Sequence, residues 1–321
     1  MESVDNLMNR KFIEGCSICP RACKVRRMEG KRGYCGATGD IMISRAAPHY
    51  WEEPCISGMN GSGAVFFSGC NLHCVYCQNK AISDGGAGKK VSIERLSEIF
   101  LELQSKNVYN INLVTPTHYA PEIREAVLMA KANGLKLPVV YNCGGYESVE
   151  TLKILEDTVD IWMPDFKYIS SETAKRYSDC PEYFEVAIKA IDEMSGQIRR
   201  KGGIKFIACG ENDESREMIM VQGIIVRHLL LPERIGESKR ILRFLHERYG
   251  NDIYISIMSQ YTPMKQILEN DRFPELKNKV SREEYNRLVK FALKIGIENA
   301  YIQEEDVASE SFIPSFDGEG V

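Results

Sequence analysis

The chain has no surplus of positive charge and no long hydrophobic run. A formal net charge of −4 at pH 7 and a pI near 5.9 exclude the basic footprint of a nucleic-acid binder or of a protein held on anionic lipid. No apolar stretch approaches the ~20 residues that a spanning helix needs, so no membrane partner is expected. The opening run Met-Glu-Ser-Val-Asp-Asn-Leu lacks the basic and apolar regions of a secretory signal, and a cytoplasmic location is expected. Internal repeats and low-complexity tracts are also missing. What the chain does have is cysteine, eleven residues in all, most of them between positions 16 and 77. An odd count in a reducing compartment excludes a complete disulfide framework and points to metal ligands.

With 321 residues, 44% of them hydrophobic, the chain is long enough for one large domain and an appendage. Residues 1–58 are the appendage: a cysteine-rich segment with Cys16, Cys19, Cys23, Cys35 and Cys55, little helical periodicity and a basic stretch from Arg10 to Arg32. Residues 59–303 alternate short β-rich runs with amphipathic helices, which predicts βα units on a parallel sheet. Strands are expected at 64–68, 111–114, 139–143, 160–163, 223–231 and 253–258. Ser92 and Ser281 are placed to cap helices, the second with Glu284 in a capping box. Six strands suggest an α/β fold, a partial (β/α)6 TIM-like barrel rather than a closed eight-stranded one. The stretch 195–220 interrupts the alternation and suggests an extra hairpin that includes 203–209. Residues 304–321 form an acidic tail with Phe312, Pro314 and Phe316, expected to be extended.

Within the run Ser68-Gly69-Cys70-Asn71-Leu72-His73-Cys74-Val75-Tyr76-Cys77 the cysteines read C-x3-C-x2-C. That spacing offers three thiolates to a four-iron cluster and leaves one iron without a protein ligand, whereas an electron-transfer cluster wants a fourth cysteine. A zinc site completed by His73 is the bland alternative. In a βα barrel, sites gather at the C-terminal strand ends, and the polar runs fall there. They are Thr115-Pro116-Thr117-His118-Tyr119, Asn142-Cys143-Gly144-Gly145, Asp165-Phe166-Lys167 and Arg227-His228. His118 and His228 read equally as satisfied structural histidines, Lys167 as the partner of Asp165, and Cys143 as a small buried hydrophobe. Cys16, Cys19, Cys23 and Cys35 read as a structural zinc site or as an auxiliary iron–sulfur cluster. Zinc is preferred because the spacing is not the ferredoxin one.

The three-cysteine spacing and Tyr76 before the last cysteine resemble the signature of radical S-adenosylmethionine (radical SAM) enzymes. With Cys16-Ser-Ile-Cys19-Pro-Arg-Ala-Cys23, Gly33-Tyr-Cys35-Gly, Cys77-Gln78-Asn79, Asp165-Phe166-Lys167 and Val226-Arg227-His228-Leu229, the chain is similar to proteins related to pyruvate formate-lyase activating enzyme. It is closer still to a branch with a cysteine-rich N-terminal segment. The resemblance implies a 4Fe-4S cluster on Cys70, Cys74 and Cys77 whose open iron binds S-adenosylmethionine, reduced by a flavodoxin- or ferredoxin-type donor. It implies that Tyr76, Thr115, Thr117, His118, Asn142, Arg227 and His228 surround the cofactor, with Asp165 and Lys167 ordering the reacting groups. The implied target is a glycine of a glycyl radical enzyme. A small molecule or another peptide is the alternative, and a non-catalytic metal-binding redox sensor is a third. Activating enzymes with extra clusters place those cysteines after the radical motif, and here they precede it.

Overall fold

The computed structural model describes residues 15–210, 216–303 and 314–321. Its ten strands are β1 (Ile41–His49), β2 (Ser62–Phe67), β3 (Lys89–Val91), β4 (Ile111–Val114), β5 (Val139–Cys143), β6 (Ile161–Pro164), β7 (Lys205–Cys209), β8 (Glu217–Leu229), β9 (Tyr254–Met258) and β10 (Ala300–Ile302). They form one sheet in the order β10-β9-β8-β6-β5-β4-β2-β1-β3, with β7 beside β8. The run from β2 through β10 along that path is parallel, while β1 pairs antiparallel with β2 and β3. Among the described residues the end strands β3 and β10 do not pair, so the sheet is not closed there.

The parallel strands are apolar because both their faces are covered. Every residue of β2, β4, β5 and β6 is buried. The covering helices are α1 (Ile93–Ser105), α2 (Ala120–Ala132), α3 (Val149–Ile154), α4 (Ser171–Ser178), α5 (Tyr183–Arg200), α6 (Ile235–Tyr249) and α7 (Arg282–Lys294). Ser92 Oγ accepts from the Arg95 amide at 3.1 Å and Ser281 Oγ from the Glu284 amide at 3.2 Å, as their capping positions require. β4 and β5 begin and end where the sequence places them. The interruption near residue 195 is the end of α5, whose buried stripe runs through Ala187, Ala190, Ile191, Met194 and Ile198. The hairpin that follows is real: β7 pairs antiparallel with the first half of β8, which is why β8 starts earlier than its apolar run.

Two chain ends attach to the start of this sheet. β1 lengthens it, and residues 314–321 lie along β1 through Ala46 N to Glu319 O at 2.8 Å and Gly318 N to Ser44 O at 3.0 Å. Phe316 sets its edge on Phe66 at 5.5 Å. The segment before β1 docks by two arginines. Arg21 lies between the rings of Tyr34 (4.1 Å) and Tyr146 (5.3 Å) and donates to the Asn71, Ser178 and Asp179 carbonyls. Arg27, 1% exposed, donates to the Thr38 and His118 carbonyls and lies over the Tyr119 ring. No helix among the described residues is long and apolar enough to cross a membrane.

Arg27 also faces the half-buried Glu122, whose carboxyl is pushed up by desolvation and pulled back by the guanidinium. Removing the buried guanidinium strands the Thr38 and His118 carbonyls it serves and takes the countercharge from Glu122. Arg27→Ala is therefore expected to lower unfolding free energy by about 3 kcal/mol or more, measured by denaturant titration. A change near zero contradicts the docking role.

Candidate active site

The cysteine loop leaves β2 through a conformation that only glycine adopts without strain. Gly69 has φ +100°, and a Cβ there would lie 2.5 Å from the Cys35 carbonyl oxygen. The space left open lets the Cys70 amide donate to that same oxygen at 3.1 Å. His73 has φ +53°; one ring nitrogen meets Asp84 at 3.1 Å and the other the Tyr34 carbonyl at 2.8 Å. Both nitrogens are thus engaged away from the thiols, which removes His73 as a fourth ligand. Ser178 Oγ donates to Cys74 Sγ at 2.9 Å. Burial, then the neighbouring thiolates, push the Cys70 thiol up to about 11 and the Cys77 thiol up to about 12, with the Lys167 cation pulling the other way. Three thiolates gathered here need a strongly positive partner, and a polynuclear iron core fits that donor set.

The thiols face a cavity of about 280 Å³ at the C-terminal ends of the strands, which Tyr76, Thr115, Asn142, Asp165, Lys167 and Arg227 also line. Its floor is a chain of alternating charge. Lys167 Nζ reaches Asp165 Oδ2 at 2.6 Å, and Arg227 Nε reaches Asp165 Oδ1 at 3.0 Å. Arg227 continues to Asn142 Oδ1 at 2.6 Å and to Glu52 Oε2 at 3.3 Å. The Asp165 carboxyl stays below its usual range because the two cations outweigh its burial. Gly145, at φ +77°, makes this floor possible: a Cβ there would lie 2.1 Å from the Asp165 carbonyl oxygen. Thr115 holds φ +57° at the end of β4, an uncommon state for a β-branched residue and one that concentrates at functional sites.

The structure does not bring every expected residue to the cavity. Thr117 Oγ1 donates to Glu147 at 2.8 Å, His118 Nε2 meets the Ser68 carbonyl at 2.8 Å, and His228 bridges the Phe166 carbonyl and Ser238 Oγ, each at 2.8 Å. All three are buried in packing beneath the strand ends, and desolvation drops the His118 pKa to about 3. Tyr76 is gripped edge-on by Tyr168, Tyr177 and Tyr261, and its oxygen accepts from Tyr168 at 2.7 Å. Glu52 is the contributor that sequence reasoning missed. Its signal was the acidic pair Glu52-Glu53 directly after β1, a strand hidden inside the cysteine-rich segment.

Cys16, Cys19, Cys23 and Cys35 gather on the other side of the loop. Cys19 is pushed up to about 12, first by burial, with Cys35 and Cys16 adding to it, and Cys35 is raised by burial with help from Cys16 and Cys23. Their backbone folds into a clasp, Cys16 N to Val25 O at 2.9 Å and Lys24 N to Cys16 O at 3.0 Å. Among the described residues no group of three or more His, Cys, Asp or Glu side chains is set to hold a single metal ion. Cys55, Cys143 and Cys180 are buried, and Cys143 lines the same cavity as Cys70, Cys74 and Cys77.

Residues 64–221 match the family model described as the Radical SAM superfamily. The uncharacterized protein MJ0674 of Methanocaldococcus jannaschii is 26% identical over 91% of this chain and 78% of its own length. MJ0808 of the same organism is 26% identical over 44% of this chain and 46% of its own. Among solved structures, SuiB of Streptococcus suis bound to S-adenosylmethionine is similar with a TM-score of 0.48 and 10% identity, over 73% of this chain and 48% of that one. Methylornithine synthase (PylB) is similar with a TM-score of 0.46 and 15% identity, over 96% of this chain and 82% of that one. The chain thus spans about half the length of the SuiB structure.

Glu147 carries a pH prediction. Burial pushes its carboxyl up to about 8, against hydrogen bonds from Thr117, Cys143 and Tyr141. A carboxyl that binds its proton more tightly when folded stabilises at low pH, and that stability is lost as pH rises toward 8. Wild-type stability should therefore fall between pH 5 and 8 by up to about 1.4 kcal/mol per unit, and Glu147→Gln should flatten that slope. Parallel slopes in urea titrations would contradict the assignment.

Proposed function

This chain carries a radical SAM superfamily domain over residues 64–221, and from that premise we propose a hydrogen-abstracting enzyme built on Cys70, Cys74 and Cys77. The observation that carries the proposal is the meeting of three thiols, Cys74 buried and Cys70 and Cys77 half-buried, with a charged cavity at the strand ends. A 4Fe-4S cluster with S-adenosylmethionine, when bound, supplies one-electron cleavage of the S–C5′ bond to methionine and a 5′-deoxyadenosyl radical that removes a hydrogen atom. The protein's own part is to bind, orient and exclude water. Tyr76 offers an aromatic surface in the cavity wall, Thr115 and Asn142 offer hydrogen bonds, and Lys167 offers a cation to a carboxylate. Asp165 fixes Lys167 and Arg227 in place. Thr117, His118 and His228 act as supports for the loops above them.

For the target, activation of a glycyl radical enzyme, with a flavodoxin- or ferredoxin-type donor, follows from the resemblance and from the open sheet between β3 and β10. A small-molecule target is favoured by a different observation, the polar floor of paired charges that a backbone glycine would not use. The N-terminal thiols hold zinc or an auxiliary cluster. Their link to the catalytic loop, the bond from Cys70 N to Cys35 O, suits either a structural or an electron-relaying role.

One anaerobic experiment tests these assignments together. Iron, zinc and 5′-deoxyadenosine are counted in reconstituted, reduced protein supplied with S-adenosylmethionine. Cys74→Ala should lose the catalytic cluster and lower 5′-deoxyadenosine at least a hundredfold, about 3 kcal/mol in barrier terms. Cys19→Ala should lose the N-terminal metal while the catalytic cluster still assembles. Cofactor cleavage surviving in Cys74→Ala sinks the site, and none in a fully loaded wild type favours a redox sensor.

A further inference from the structure

The end of β1 brings two side chains to the cavity that the charged row of its floor does not include. His49 and Trp51 both belong to the lining, and both precede residue 64, where the family match begins. The ring of His49 stands edge-on to Phe66, with centroids 6.1 Å apart at 90°. Among the described residues neither of its nitrogens has a hydrogen-bond partner. Burial, and then the Arg45 cation, lower its pKa, so at neutral pH the ring offers one N–H donor and one bare acceptor. A polar ring desolvated in a wall costs free energy until something pairs with it.

The charges around the cavity narrow what that partner is. Asp165 is answered by Lys167 at 2.6 Å and by Arg227 at 3.0 Å, and Glu52 by Arg227 at 3.3 Å. The carboxylates and cations of the lining thus close on one another, and a charged substrate finds no opposite charge left over. Hydrogen-bonding capacity is left over. Arg227 gives one N–H each to Asp165, Glu52 and Asn142, and a guanidinium carries further N–H groups beyond those. An apolar substrate would leave them and the His49 nitrogens desolvated and unpaired. A hydroxyl donates and accepts through one atom and carries no charge, so it satisfies either tautomer of His49. A peptide group also does both, but its N–H and C=O point to opposite sides of a plane. Trp51 adds the apolar half. It lines the cavity yet is 63% exposed, which puts it at the rim, where an indole covers the C–H face of a hydroxylated ring or chain.

We propose that the wall from His49 to Trp51 docks an uncharged small molecule bearing several hydroxyls, one on His49 and another within reach of Arg227. The molecule losing a hydrogen atom here is then a sugar-like alcohol, a step that rests on the proposed reaction. A carbon bearing a hydroxyl suits that loss, because the adjacent oxygen stabilises the radical left behind. The assignment favours the small-molecule target over a glycine of a polypeptide. Specificity comes from the strand added in front of the shared domain.

Calorimetric titration of cluster-loaded, S-adenosylmethionine-bound protein with D-glucose, D-ribose and myo-inositol tests this. D-glucosamine and D-gluconate serve as charged counterparts, and N-acetylglycinamide as the peptide one. At least one of the three neutral polyols should bind saturably, and more tightly than all three counterparts. His49→Ala should weaken that binding at least about tenfold, and His49→Gln, which keeps a donor and an acceptor, should recover part of it. The chain has two tryptophans, and Trp162 is fully buried. Tryptophan emission should therefore shift on binding in the wild type and stay fixed in Trp51→Phe. No saturable binding by any of the three polyols, tighter binding by a counterpart, equal affinity in His49→Ala, or an emission that ignores binding overturns the proposal. These titrations read binding alone, so a wild type that binds a polyol yet makes no 5′-deoxyadenosine contradicts the radical reading and not the docking one.

Discussion

The bond from the Cys70 amide to the Cys35 carbonyl, 3.1 Å long, joins the two cysteine-bearing parts of the chain at the point where the cysteine loop after β2 begins. It exists because Gly69 takes a positive φ and brings no side chain between them. Around it the N-terminal segment grips the same loop twice more, through Arg21 to the Asn71 carbonyl and the Tyr34 carbonyl to His73. His118 supports the loop from beneath through the Ser68 carbonyl. A loop held on three sides can present thiols at fixed spacing although those thiols repel one another when ionised.

Charge then organises everything above the loop. Lys167 eases the ionisation of Cys70 and Cys77, Asp165 holds Lys167, Arg227 holds Asp165, and Glu52 ends the row. Asp165 and Lys167 follow β6, Arg227 lies in β8 and Glu52 in the turn after β1, so the row ties these elements together where a βα fold leaves its loops free to vary. The row also explains why Gly145 is required, since the turn after β5 must pass close to the Asp165 backbone.

Much of this was legible in the sequence, for identifiable reasons. β4 and β5 are short apolar runs closed by polar turns, and nothing else competes for them. The thiols announce themselves by spacing, and Asn142, Asp165, Lys167 and Arg227 by standing where strands end. β1 was hidden because an antiparallel strand with Arg45 and Pro48 lacks the continuous apolar pattern of its parallel neighbours, and with it went Glu52. β3 and β10, at three residues each, are too short to show a period. His118 and His228 stand beside catalytic-looking neighbours in the chain, yet the strand turns their rings into backbone carbonyls. Sequence proximity does not reveal that direction.

The central claim is that three protein thiolates hold four irons and leave one for a small-molecule ligand. Mössbauer spectroscopy of the protein reconstituted with enriched iron, before and after S-adenosylmethionine, addresses it most directly. One iron in four should change its isomer shift when S-adenosylmethionine is added, while the other three stay as they were. Four irons that remain equivalent and unmoved would mean that the cluster is fully ligated by protein, and the account would be wrong.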